Sequence, residues 1–217
     1  MNEVLRNMLL AGGLLMVFAL VGGGLVSLTF DATKEQIAAN EREALVRSLQ
    51  ELIPPDRYNN DPLADSIQVT SSALGVQEPV TIYRARRGGQ PLALFTTLTA
   101  PDGYSGPIKM LIGVYNSGVL AGVRVISHRE TPGLGDRIEL RKTHWIKQLD
   151  ARSIGSPYAR NWKVAKDGGH FDQLTGATIT PRAIVRAVYG FLTYFQANRG
   201  TLFAPAPGAE PAEDQHE

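Results

Sequence analysis

Cysteine is absent from this 217-residue chain. That excludes disulfide scaffolds, cysteine-ligated zinc, iron–sulfur ligation and thiol catalysis. Net charge is almost absent too. Lys and Arg number 22 against 21 Asp and Glu, which leaves +1 and no global electrostatic footprint for nucleic acid. The histidines, at 128, 144, 170 and 216, lack metal-ligand spacing such as H-x-x-x-H. Neither a nucleophile elbow nor a convincing catalytic carboxylate pair stands in the sequence, which argues against an independent hydrolase. Internal repeats are missing, and the length allows one domain with appendages. The 43% hydrophobic content is ordinary for a globular domain, but it is unevenly distributed.

Met8–Phe30 is a run of 23 residues without a charge. As a helix it spans about 34 Å, enough to cross a membrane with some tilt. A cleaved signal peptide would have a shorter apolar region and a small-x-small cleavage site, and Ser27-Leu28-Thr29-Phe30-Asp31-Ala32-Thr33 is a poor one. Residues 1–7 are therefore read as a short N-terminal segment and 8–30 as a retained transmembrane helix. Arg6 favours a cytoplasmic N-terminus, diluted by Lys34 and Arg42 beyond the helix. Ala19, Gly23 and Ser27 recur at four-residue spacing, a stripe on which another membrane helix can pack closely.

Residues 31–79 read as a helix and linker. A helix is expected over Thr33–Ile53, opened by a Thr33-x-x-Gln36 capping box and stopped by Pro54-Pro55. Residues 56–79 read as polar and irregular. Two hairpins follow. Val80–Arg86 and Leu92–Leu98 flank Arg87-Gly88-Gly89-Gln90, and Ile108–Tyr115 and Val119–Ser127 flank Asn116-Ser117-Gly118. Arg84 and Arg86 alternate along their strand and read as a solvated face. Leu140–Leu149, with Trp145, is a short helix candidate, and Trp162–Ala165 a strand candidate. Ile184, Val185, Val188, Phe191, Leu192 and Phe195 form a helical stripe with Gly200 as stop signal. The tail, residues 201–217, is expected to be disordered; from Ala204 onward it cannot bury a core. The order of elements is α+β.

Local chemistry points to Asp172-Gln173-Leu174-Thr175-Gly176-Ala177-Thr178-Ile179-Thr180-Pro181. Pro is favoured at the first helical position, so Thr180 reads as the N-cap and Thr178 lies just outside a helix N-terminus. Free N–H groups and the positive dipole end point there. Gly176 and Ala177 leave room for an anion, so the segment is a phosphate site in principle. From local physics alone, a plain turn and cap is the other reading.

As a pattern, Asp172-x-x-Thr175-Gly176-Ala177-Thr178 resembles the flavinylation signature D-x-x-[ST]-G-A-T, whose bearers receive FMN on the last Thr from a flavin transferase. Ser127-His128-Arg129-Glu130-Thr131-Pro132-Gly133-Leu134-Gly135-Asp136 resembles the H-x-E-T-P-G-L-G loop of the G subunit of the Rnf (Rsx) electron-transport complex. Ala100–Gly106 and Gly168–Asp172 are similar to the same family. The likeness covers the anchor and residues 30–200, and the C subunit of the sodium-pumping NADH:quinone oxidoreductase shares the plan.

The resemblance implies an FMN-binding domain over 80–200, with antiparallel hairpins and flanking helices behind a single membrane helix. It makes Thr178 the phosphoester site and Thr175, Gly176, Ala177 and Thr180 its surroundings. It borders the flavin with Glu130, Thr131, Gly133, Leu134 and Gly135. Leu134 is expected on a ring face, the glycines to bring backbone N–H groups near the ring edge, and Thr131 to offer a hydroxyl. Tyr104, between Gly103 and Ser105, is expected to stack on or border the flavin. Arg182 is a candidate helper for the phosphate, and Trp145 is a second aromatic candidate better read as core. Asp172 is read as part of the transferase recognition pattern. The implied protein is an electron carrier in the bacterial inner membrane, with its soluble domain on the periplasmic side. Its implied partners are the other Rnf subunits, including integral membrane ones, a flavin transferase and the membrane, without nucleic acid. The complex would move electrons between ferredoxin and NAD and couple them to ion transport. A single-pass periplasmic scaffold without redox role is the alternative.

Overall fold

A computed structural model of the chain describes residues 2–71, 74 and 79–204. It divides into two compact units, Met1–Arg47 and Ser48–Glu217.

Helix α1, Glu3–Leu52, makes up the first unit from Glu3 onward. The segment Glu3–Ile37 is long and apolar enough to cross a membrane, with mean hydropathy reaching 2.3. The expected break before Thr33 does not occur. Thr33 Oγ1 donates to the Thr29 carbonyl at 2.7 Å, one turn back, instead of capping a new helix. Neither Gly nor Pro stands between Phe30 and Gln36, so nothing interrupts the ladder. Lys34 pairs with Asp31 and Arg47 with Glu43 along the exposed surface.

The second unit is a five-stranded antiparallel meander in the order β1 (Ser66–Val69), β2 (Val80–Arg87), β3 (Gln90–Ala100), β4 (Ile108–Tyr115) and β5 (Leu120–Ser127). The two expected hairpins are present, turned at Gly88-Gly89 and around Gly118, all three with positive φ. β1 lies in the stretch read as irregular. It has only four residues, too few to show a period in sequence, yet it pairs with β2 from Ser66↔Tyr83 to Val69↔Val80.

Helix α2, Ile179–Phe203, crosses the sheet. Its Ile184, Val188, Phe191, Leu192 and Phe195 close a core with Leu94, Leu98, Met110, Ile112 and Val123, each buried side chain worth about 1.5–3 kcal/mol. The opposite sheet face is covered by the first residues of the unit, where Leu49, Leu52 and Ile53 are buried. There Gly113 and Gly122 leave the sheet surface low enough for Leu52. A Cβ on Gly113 would stand 3.3 Å from Leu52 Cδ1, and one on Gly122 2.9 Å from Leu52 Cδ2.

Several local expectations are corrected. α2 runs through Gly200 to Phe203, because buried Leu202 and Phe203 reward continuation beyond a residue that alone lowers helix propensity. Trp162–Ala165 forms only an isolated bridge, Val164↔Phe171. Within Leu140–Leu149 the ordered turn is 3₁₀, Trp145–Leu149. The tail expectation from residue 205 onward lies outside the described residues; Thr201–Phe203 are helical.

The main correction concerns Arg84, which is 1% exposed. Its strand register, Arg84↔Leu94, puts it on the core face beside the C-terminus of α2. It pairs with Asp65 and donates to the Ala204 carbonyl. Beyond a bulge, Arg86 donates to Asp65 Oδ2 at 2.7 Å and to the Phe203 carbonyl at 2.9 Å. The two cations thus satisfy carbonyls that a helix end leaves open. Removing Asp65 strands a buried guanidinium. Asp65→Ala is expected to cost about 3 kcal/mol of stability, read from urea unfolding followed by the buried tryptophans. Arg47→Ala, which breaks an exposed pair, is expected to shift it by less than about 0.5 kcal/mol.

Candidate functional site

A cleft of about 430 Å³ opens among the loop after β3, the loop after β5 and the start of α2. Its walls bring together Tyr104 from the first loop and Glu130, Thr131, Leu134 and Gly135 from the second. Gly176, Ala177, Thr178, Ile179 and Thr180 complete it from the segment entering α2. Segments far apart in sequence therefore share one surface. Thr175 and Gly133, also expected there, do not line the cleft; both are exposed on the turns that support it.

Glu130 ties these pieces together. Its side chain is buried, at 4% exposure. Oε1 accepts the Ser105 N–H at 3.1 Å, and Oε2 accepts the Thr180 hydroxyl. Two glycines make room for it. A Cβ on Gly103 would lie 2.9 Å from Oε1, and one on Gly135 would lie 2.8 Å from Oε2 and 3.0 Å from Thr180 Oγ1. The Glu130 N–H donates to His128 Nδ1 at 3.0 Å. That assigns the ring proton to Nε2, which faces Glu139 Oε1 at 3.1 Å.

The loop after β5 folds on the Thr131 carbonyl, which accepts the N–H groups of Leu134, Gly135 and Asp136 at 3.1–3.4 Å. This corrects an expectation: the N–H groups of Leu134 and Gly135 are engaged inside the loop. What the loop offers the cleft is the Leu134 side chain, 43% exposed, and Thr131. Below it, Lys142 pairs with Asp136 and Glu139. The Lys142 ammonium and the Gly133 N–H hold Asp136 below its ordinary value. Arg141 first, then His128 and Lys142, pull Glu139 from 4.5 down to about 2.

The entry to α2 is built from a turn, Leu174–Ala177, closed by the Ala177 N–H on the Leu174 carbonyl at 3.0 Å. Gly176 has φ +82°, which a side chain would strain. α2 begins earlier than expected. Thr178, not Thr180, is the N-cap, and its hydroxyl makes no capping hydrogen bond. Thr180 is instead the second helical residue, drawn inward by Glu130. Pro181 falls third, where its missing N–H is still harmless. Ile179, 45% exposed, adds an apolar wall. Sequence reasoning missed it; the one large apolar residue between two threonines at a helix start was the available signal.

Three other candidates lie elsewhere. The Arg182 guanidinium forms a bidentate pair with Asp167 at 2.5 and 2.6 Å and does not line the cleft. Trp145 is core, its Nε1 donating to the Asp172 carbonyl at 2.7 Å. The Asp172 N–H donates to Gln148 Oε1 at 2.9 Å; the residue is exposed at the start of the turn.

The cleft suits a flat, amphipathic group ending in an anion. Tyr104, 67% exposed, Leu134 and Ile179 offer surfaces for a ring. The N–H groups of Ile179 and Thr180 have no intrahelical acceptor and favour a negative charge beside Thr178.

Comparison with known proteins agrees with this chemistry. Residues 103–193 match the FMN-binding domain family, and residues 1–52 match the RnfG N-terminal region. The G subunit of the ion-translocating oxidoreductase complex of Pseudomonas aeruginosa is 51% identical over 209 residues, covering 96% of each chain. The proteins of the same name from Pseudoalteromonas atlantica and Vibrio cholerae are 46% and 45% identical. They cover 89% and 88% of this chain, and 90% and 91% of their own lengths. The chain belongs to the family of G subunits of ion-translocating oxidoreductase complexes, and carries an FMN-binding domain behind an N-terminal candidate transmembrane helix.

Two outcomes follow from the packing. Gly135→Ala would press a methyl group on Glu130 and Thr180 and is expected to destabilise by about 1–3 kcal/mol, measured by thermal unfolding of the full chain. Because folding lowers the Glu139 carboxyl, its contribution is fully present above about pH 4.5 and is lost as the pH falls toward 2. Glu139→Gln should flatten the unfolding free energy across that window while leaving its slope above about pH 6 unchanged.

Proposed function

We propose that this chain is the membrane-anchored electron carrier of its complex, with FMN joined through its phosphate to Thr178 Oγ1. The observation that carries the reading is the contrast among the three hydroxyls of the segment entering α2, Thr175, Thr178 and Thr180. Thr180 is fully buried and bonded to Glu130, and Thr175 lies outside the cleft. Thr178 stands on the cleft wall, partly exposed, at the helix N-terminus and without a capping bond. A flavin transferase acting on the folded domain would find this hydroxyl free.

Bound FMN supplies the redox chemistry, taking up electrons and passing them on. The protein supplies position and field. The start of α2 holds the phosphodiester charge. Gly176 keeps the turn open beside it, its absent Cβ leaving Leu134 Cδ2 room at 3.0 Å. Leu134, Ile179 and Tyr104 border the ring. Thr131, Gly135 and Glu130 form the floor, while Gly133 and Thr175 shape the two turns that carry it. The anchor holds the domain, residues 80–200, on the periplasmic face of the inner membrane, a placement supported by Arg6 ahead of the apolar helix. The other Rnf subunits are its electron partners, in a complex that exchanges electrons between ferredoxin and NAD.

The test is intact mass and visible absorption of the full chain, produced with a flavin transferase, denatured and desalted. A mass gain of FMN less one water, with yellow absorbance, is expected for wild type and absent from Thr178→Ala. An unmodified wild-type mass, with the transferase active on a control substrate, would overturn the reading.

A further inference from the structure

We infer that Glu130 sets the reduction potential of a flavin held in the cleft, by placing a fixed negative charge in its wall. The inference rests on the reading of the cleft as the flavin site. Among the described residues that line it, Glu130 is the one with a charged side chain; the others are apolar, glycine, tyrosine or threonine.

Among the described residues, no salt bridge reaches that charge. The two oxygens are held by neutral donors, the Ser105 N–H and the Thr180 hydroxyl. Three cations on the elements around the cleft have carboxylate partners of their own. Lys142 pairs with Asp136 and Glu139, Arg182 with Asp167 and Arg186 with Asp102. His128 meets Glu130 through its Nδ1, which accepts the Glu130 backbone N–H and makes no contact with the carboxylate. The carboxylate is also closely surrounded. Gly103 and Gly135 pack against its oxygens, and its exposure of 4% leaves little water to screen it.

A fixed negative charge beside a redox group disfavours the form that has gained electrons. Glu130 therefore holds the potential of a flavin in this cleft below the value a neutral wall would give. The structure separates this role from a purely architectural one. Gln preserves the length of Glu, its oxygen can still accept the Ser105 N–H, and its NH2 can donate to the Thr180 hydroxyl, so the charge is removed with both contacts kept; Asp preserves the charge but is one methylene short of both partners.

The experiment is a dye-calibrated redox titration of the full chain in detergent, monitored by flavin absorbance, for wild type, Glu130→Gln and Glu130→Asp, each first weighed intact. The expected result is an upward shift of the midpoint potential in Glu130→Gln, with Glu130→Asp close to wild type. Equal potentials in wild type and Glu130→Gln, with the adduct present in both, would overturn the inference and leave the flavin site standing. So would a shift in Glu130→Asp larger than that in Glu130→Gln, which is the signature of lost packing. Absence of the adduct from wild type would instead overturn the reading of the site itself. If Glu130→Gln folds or attaches poorly, Glu130→Met, neutral and of similar length, is titrated in its place under the same criteria.

Discussion

A single buried carboxylate holds three separate segments of this fold in register. Glu130 receives the loop after β3 through the Ser105 N–H and the start of α2 through the Thr180 hydroxyl, while its own backbone fixes the loop after β5 on His128. The two loops are irregular and, alone, free to move. A buried carboxylate without partners would be expensive, so the three segments are obliged to converge on it. The glycines at 103 and 135 follow from the same constraint, since a side chain at either would push the carboxylate from its donors. The cleft is the space left in front of this junction.

The long helix behind the cleft is fixed at both ends by opposite charges. At its start Glu130 meets the positive end of the dipole; at its close Arg84 and Arg86 meet the Ala204 and Phe203 carbonyls. Between them, apolar side chains spaced at three and four residues lock the helix to the sheet. Thr178, at the N-cap, is therefore carried at the start of a helix packed on the sheet, a position that would suit the proposed attachment of a cofactor there.

Much of this was legible in the sequence because the signals were local. The hairpins announced themselves by β-rich runs around glycine turns, the anchor by its uncharged run, and α2 by its stripe. The two motifs located most of the cleft residues. What was not legible depended on distant partners. Arg84 looked solvated because alternation cannot say which face is inward; only Asp65 and the end of α2 decide it. Thr180 looked like a cap because Pro181 follows it, but Glu130, far earlier in the chain, claims its hydroxyl. β1 was too short to show a period, and the inward use of the Leu134 and Gly135 N–H groups depends on a turn whose geometry no residue type dictates.

The openness of the cleft gives the proposed tether a physical purpose. A pocket that retains a cofactor by contact alone encloses most of its surface. Here Tyr104, Leu134 and Ile179 each keep two-fifths or more of their surface exposed, so the walls bury little apolar area. The helix N-terminus attracts a phosphate, but the Glu130 charge nearby works against it. Contact and charge together would hold a free flavin nucleotide weakly. A covalent bond at Thr178 removes the concentration dependence of binding altogether, and the walls are then released from the task of retention. They can remain open, which is the arrangement an electron carrier needs if its ring is to come close to successive partners. In this reading the exposed aromatic and aliphatic rim is not unfinished core. It is the surface that enclosure would have hidden.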